Sequence, residues 1–404
     1  MKILFLQKRL LFPHNTGGKI RSLGVLRFLA KRHEVTYVCN LLPEERPFVD
    51  QMKSIGVKLK TVDWVEAPRR SLSFAWLATK NLFSTRPLNV DKDFDAGLRQ
   101  VVEQEVAAGD YDLLICDFVQ MTRNCLGIAL PKLLFQHNVE AEIFERLSNR
   151  YRGVFSRYLK LQANRMKRFE KTAGKYFDNI VAVSHRDQKR FESEYDWQSV
   201  DVIDTAVDTD YFQLNGDSTE RSGAVFVGSM DWSPNVDGIH HFVRNVWPRV
   251  IQFRKNTSFT IVGRNPPASI KKYDGKMGIK VTGTVPDIRP YLAAGAVGVV
   301  PLLSGGGTRL KIFEYMAMKL PVVSTSLGAE GLPVHDEEHL LIRDDDCEFA
   351  DAIIEMTTNK ARRNEISSVA YQLVHSQYSS ECIGKQFERS CVKAVDNWKA
   401  RANE

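Results

Sequence analysis

The 404-residue chain is long for one domain, and its length favours two or three. With 43% hydrophobic and 26% charged residues it has the composition of an ordinary soluble globular protein, and it contains no low-complexity tract. The net charge of +7 is too modest to argue for nucleic acid, and no aromatic-basic module accompanies it.

Six cysteines (Cys39, Cys116, Cys125, Cys347, Cys382 and Cys391) form no Cys-x-x-Cys pair. That argues against zinc or a disulfide frame and for thiols in a reducing, cytoplasmic setting. The opening "MKILFLQKRL" is interrupted by Lys8 and Arg9. It is too short for a signal peptide or a membrane span and reads as a first buried strand.

Short apolar runs then alternate with amphipathic segments. "KILFLQ", "EVTYVCN", "VKLKTV", "YDLLICD", "KLLFQHN" and "NIVAVS" read as strands. Between them lie stretches such as "GGKIRSLGVLRFLAKRH", with Ile20, Leu23, Leu26 and Leu29 at helical spacing. Gly17 and Gly18 open that helix, followed by Lys19 and Arg21. Asp117 and His137 each stand at the carboxyl end of a strand, where open parallel sheets place ligands.

Between Arg146 and Lys175 lie ten basic residues against a single acid, Glu170. Such a run fits either an anionic surface or a plain solvated helix face. The segment from Thr205 to Gly223 has neither period, after which the pattern restarts with "AVFVGS", "SFTIVGR", "GIKVTG", "GAVGVVPL" and "LPVVST". The expected organisation is α/β, with two doubly wound Rossmann-like domains at 1–204 and 205–379 and their ligand cleft between them. Residues 380–404 form a terminal amphipathic helix that is a candidate to cross back to the first domain.

The sharpest local signal is "SGGGTRLKIFEYMA". A strand, "GAVGVVPL", runs into Gly305, Gly306 and Gly307 and then into a helix expected over "TRLKIFEYMAMK". Free N–H groups at a helix start suit phosphate, and Thr308 adds a hydroxyl. Arg309 and Lys311 oppose the helix dipole unless an anion sits between them. Glu314, further along, is placed to accept bonds from the vicinal hydroxyls of a ribose. The competing reading is a plain turn with surface charges, and no Walker loop is present.

The stretch "GGGTRLKIFEYMAMKLPVVST" resembles the nucleotide-sugar motif of the retaining GT-B glycosyltransferases of family four, the group-1-type enzymes. Glu314 matches the second glutamate of their Glu–seven residues–Glu pattern, which implies ribose binding. The first glutamate falls at Gly306, so the sugar contact differs from the family pattern. Around "VFVGSMDWSPNVDG" the family places an arginine and a lysine; here Ser229, Met230 and Asn235 stand instead, and Gly228 and Ser229 are expected among the donor-binding residues. The resemblance implies that Arg309 and Lys311 take over the diphosphate charge.

It further implies that the Gly17-Gly18 loop faces phosphate and acceptor, and that His137 lies near the donor sugar or acceptor. Val207 and Asp208 match the end of the family hinge, and Ser184 reads as a helix cap.

The expected activity is retaining transfer of a sugar from a nucleotide-diphosphate donor to a hydroxyl acceptor, in polysaccharide or glycolipid assembly. The expected catalytic set is His137, Arg309 and Lys311. No cofactor or metal is expected, since no Asp-x-Asp stands in a convincing strand-end loop, and "DKDFD" near Asp91 sits in helix-like sequence. The basic run extends the expectation to a lipid-linked acceptor and peripheral contact with the inner face of an anionic membrane. A GT-B epimerase or phosphorylase, or a non-catalytic nucleotide-sugar sensor, remain alternatives at this point.

Overall fold

A computed structural model describes residues 1–13, 16–66, 71–214, 221–305 and 309–402. Contacts divide the chain into two compact units, Met1–Ala206 with Ser380–Glu404, and Val207–Ser379.

Unit 1 is built on a seven-stranded parallel sheet. Its strands are β1 (Lys2–Gln7), β2 (Glu34–Leu41), β3 (Lys58–Asp63), β4 (Leu113–Asp117), β5 (Lys132–Gln136), β6 (Asn179–Ala182) and β7 (Val200–Val202), in the order β3-β2-β1-β4-β5-β6-β7. Ile3 and Phe5 point into one apolar core, with Leu26 and Phe387, while Leu4 and Leu6 point into another, with Leu98 and Val102. A strand covered on both faces needs apolar residues at every position, which is why β1 reads as a continuous run. The terminal helix Ser380–Ala402 closes the first of these cores. Gly384 lets it approach Phe28, since a Cβ there would stand 2.2 Å from Phe28 Cγ. Phe387 packs edge-on to Phe135 with ring centroids 4.9 Å apart.

Unit 2 has six parallel strands: β8 (Ala224–Val227), β9 (Phe259–Val262), β10 (Ile279–Gly283), β11 (Val297–Val300), β12 (Val322–Ser324) and β13 (Leu341–Ile342), in the order β10-β9-β8-β11-β12-β13. The strands expected from the sequence are present, and β7 and β13 are additional. Both lie at a sheet edge and run for only three and two residues, too short to show a period.

Among the described residues, no helix is long and apolar enough to cross a membrane.

Candidate functional site

In unit 2 the chemistry gathers at the carboxyl ends of β8 and β11. The helix after β11 runs from Leu310 to Ala317, shorter at both ends than the sequence suggested. Arg309 therefore stands at the cap position and not in the first turn. Its side chain turns inward, 4% exposed, with the guanidinium 5.4 Å from the Trp232 ring. Burial lowers its pKa, and the charge of Glu330 acts the other way. Gly305 has φ of +109°, and a Cβ there would stand 2.7 Å from the Trp232 ring, so this turn needs glycine for both reasons. Gly306, Gly307 and Thr308 lie outside the described residues.

Lys311 is half-buried beside the end of β8. It donates to Asn235 Oδ1 at 3.1 Å and lies 4.3 Å from the centre of the Phe226 ring. Asn235 is fixed in turn by donating to the Ser229 carbonyl at 2.8 Å. Burial lowers the Lys311 ammonium to about 7, against the charge of Glu314. The Glu314 carboxyl is pushed up to about 7 by burial, against Lys311. The two groups sit one turn apart, each softening the other's desolvation. The Ser229 hydroxyl points elsewhere, to Asp231 at 3.2 Å, and accepts from Arg264 at 3.0 Å. Tyr315, on the same helix, accepts from the Val227 amide at 2.7 Å and locks the helix to β8.

In unit 1 the structure brings together two residues that the sequence singled out separately. His137 Nε2 lies 2.7 Å from Asp117 Oδ1, and both side chains are buried. Asp117 Oδ2 also accepts from Ser22 and from Gln7, each at 2.5 Å. Arg21 Nη1 meets His137 Nδ1 at 3.2 Å and bonds the Thr205 hydroxyl through Nε and Nη2 at 2.9 and 2.6 Å. An arginine only donates and a carboxylate only accepts, so His137 is held neutral with its proton on Nε2. Burial lowers its pKa, consistent with that form, while Asp117 raises it.

His137 was expected at the donor sugar or acceptor. As placed, both its nitrogens are engaged, Nε2 by Asp117 and Nδ1 by Arg21. Phe118 stacks on the imidazole at 4.2 Å and adopts φ of +73°, a strained conformation beside the buried aspartate. Gly18 makes room for it, since a Cβ there would stand 2.9 Å from Phe118 Cζ. Gly17 has nothing within that reach. Thr16 caps the helix Gly17–Ala30 that follows.

Residues 221–359 match the family model described as glycosyl transferases group 1. Unit 2 carries the group 1 glycosyl transferase domain. Over 397 residues the chain is 24% identical to an uncharacterized 44.6 kDa protein in the cps region of Klebsiella pneumoniae, covering 94% of this chain and 97% of that one. It is 23% identical over 265 residues to a Bacillus subtilis protein named as a teichuronic acid biosynthesis glycosyltransferase, TuaC, covering 62% and 61% of the two chains.

Among solved structures, Anabaena HepE in complex with UDP superposes with a TM-score of 0.64 at 16% identity, covering 96% of this chain and 99% of that one. A glycosyltransferase from Rickettsia africae gives 0.64 at 12% identity, covering 98% and 99%. These likenesses give the fold as GT-B, with two Rossmann-like α/β domains.

Lys311, Glu314, Gly228 and Asn235 all lie inside the matched glycosyl transferase segment. The Asp117–His137–Arg21 network lies outside it. Ser22 and Tyr315, which fasten the two sites, carried no sequence signal, because a serine or tyrosine on an apolar helix face reads as ordinary packing.

Proposed function

We propose that this glycosyltransferase moves a sugar from a nucleotide-diphosphate donor to a hydroxyl acceptor, with retention, in the assembly of a surface polysaccharide or glycolipid. The observation that carries the reading is the Lys311–Glu314 pair at the edge of β8. A lysine held near neutrality by burial regains its proton when a diphosphate arrives, so its charge is spent on that ligand. As the sugar departs, negative charge grows on the diphosphate, and a fixed cation there lowers the barrier. Glu314 supplies the acceptor for ribose hydroxyls. Arg309 and Lys311 provide the neutralisation that a metal would otherwise give, so transfer is expected to persist in EDTA.

In unit 1, His137 and Asp117 hold Arg21 in place at the carboxyl end of the sheet as a second cation. Retention rests on the resemblance to family four. The named roles of TuaC and the cps-region location of the Klebsiella relative support a polysaccharide or lipid-linked acceptor.

The basic run adds a membrane contact. On the helix Gly153–Ala173, Arg157, Lys160, Arg168 and Lys171 have no ion-pair partner among the described residues. Val154 and Phe155 stand exposed at its start. Phe83, 90% exposed, follows Leu82, whose carbonyl Arg165 binds at 2.9 Å. Exposed apolar side chains among unpaired cations suit an anionic bilayer.

One assay tests the whole reading: radiolabelled UDP-, GDP- and ADP-sugars are incubated with anionic vesicles containing bacterial lipid extract, with and without EDTA. Label transferred to lipid, and protein floating with vesicles at low salt but not at high salt, is the expected result. Donor binding with no turnover would favour the sensor that Gly306, in place of a glutamate, suggests. Flotation that ignores salt would end the electrostatic docking.

A further inference from the structure

Phe118 stands where the backbone asks for glycine. It follows β4 with φ of +73° and ψ of 137°, a region that a residue with a Cβ rarely enters. The conformation is held from both sides. Its amide donates to the Phe135 carbonyl at 2.9 Å, and its carbonyl accepts from the Met121 amide at 3.0 Å and the Cys116 thiol at 3.6 Å. Asp117, before it, is fastened by Gln7, Ser22 and His137. The Val119 amide, after it, donates to Gln136 Oε1 at 2.9 Å. Strain of this kind lasts only where the surroundings over-determine it, and it gathers at functional sites.

What the strain secures is the place of one ring. The Phe118 phenyl lies on the His137 imidazole with the planes 21° apart, and Phe135 packs on the same imidazole at 4.2 Å, tilted by 47°. Phe135, Asp117, Val119 and His137 are buried, while Phe118 is half-buried, so its ring is the one on the solvent side. Gly18 leaves it the room to lie there.

The imidazole needs such a cover. Its bonds, to Asp117 at 2.7 Å and to Arg21 at 3.2 Å, both lie at the ring edge. They fix the line between the two nitrogens but leave the ring free to rock about it. A stacked phenyl removes that motion and keeps away the water that would compete for Nδ1. The longer bond, to Arg21, is the one that rocking would break.

We propose that Phe118 is a positioning residue for sugar transfer: its ring, held out by a glycine-like backbone, fixes the plane of His137 and, through Nδ1, the seat of Arg21. Its part in transfer rests on the proposed function above; its hold on the imidazole rests on unit 1 alone.

The test compares Phe118→Gly, Phe118→Ala and Phe118→Tyr in the full chain. Both small variants lose the ring, but only glycine enters positive φ freely. Phe118→Gly is therefore expected to melt above Phe118→Ala, the reverse of the usual order. In ¹⁵N NMR at pH 7, the Nε2 proton of His137 is expected to exchange with water about tenfold faster in Phe118→Gly than in wild type. In the vesicle assay above, that variant should lose about tenfold in kcat with the donor KM within about twofold. Phe118→Tyr should restore both the slow exchange and the kcat. Wild-type exchange or wild-type kcat in Phe118→Gly, or a Phe118→Ala protein that melts at or above it, overturns the proposal. A wild-type protein that turns over no nucleotide-sugar would remove the transferase reading, and the exchange comparison would still decide whether Phe118 holds the imidazole.

Discussion

Gly228 decides where Lys311 can sit. A Cβ at this position would stand 2.8 Å from Lys311 Nζ and 2.8 Å from Asn235 Nδ2, both closer than real contacts allow. Gly228→Ala must therefore push the ammonium off its seat or break the Asn235 bond that orients it. The variant is expected to fold, because these neighbours are side-chain ends, and to bind nucleoside diphosphate about tenfold more weakly, near the ~1.4 kcal/mol that one displaced charged bond is worth. Calorimetric titration checks it, and an unchanged affinity would show that Lys311 does not need this placement.

At the same scale, the sequence marked Asp117 and His137 by their strand-end positions but not as a pair. Adjacent parallel strands carry no sequence trace of which end residues meet. The bond from Asp117 to His137 needed the register Asp117↔Phe135 to become visible.

Glu170 shows how an element depends on one residue of another. In the sequence it is the lone acid of a basic run; in the structure it is fully buried at the start of a neighbouring helix. Its carboxylate accepts from the Glu140 and Ala141 amides at 2.8 and 3.2 Å, and from the Tyr195 hydroxyl at 2.9 Å. It thus caps the helix Glu140–Arg150, whose own cap residue Val139 has no side-chain oxygen.

Burial pushes the Glu170 carboxyl up to about 8, with the charge of Glu140 adding to the effect. A group protonated in the fold but ionised in the unfolded chain binds more protons when native. Its stabilising contribution is therefore full below the unfolded pKa, about 4.3, and is lost as pH rises through about 8. Glu170→Gln removes that titration. The wild-type protein should lose more stability than the variant between pH 5.5 and 8.5 in urea denaturation. Equal losses would mean that Glu170 is ionised in the native protein. Element ends were less legible than elements: the helix at Leu310 starts late because Arg309 is drawn inward under Trp232, a packing choice that local spacing does not encode.

Across the whole molecule, the alternation of buried strands and amphipathic helices was enough to read two doubly wound domains, because parallel sheets covered on both faces impose continuous apolar runs. The charged cluster of the second unit was legible because a strand, a glycine turn and a charged helix start are contiguous in sequence. The network of Asp117, His137 and Arg21 was not, since Arg21 and His137 stand 116 positions apart and meet only in the fold.

The account rests on a diphosphate binding against Lys311 in the second unit. The most direct measurement is calorimetric titration of UDP, GDP and ADP into wild-type protein and Lys311→Ala at pH 7. One of the three should bind the wild type with uptake of a proton, as the depressed ammonium recharges. The variant should bind it about 10- to 100-fold more weakly, the equivalent of ~1.5–3 kcal/mol for a charged hydrogen bond, and without that proton. Equal affinity in a folded Lys311→Ala protein, or no binding of any of the three to the wild type, would contradict it.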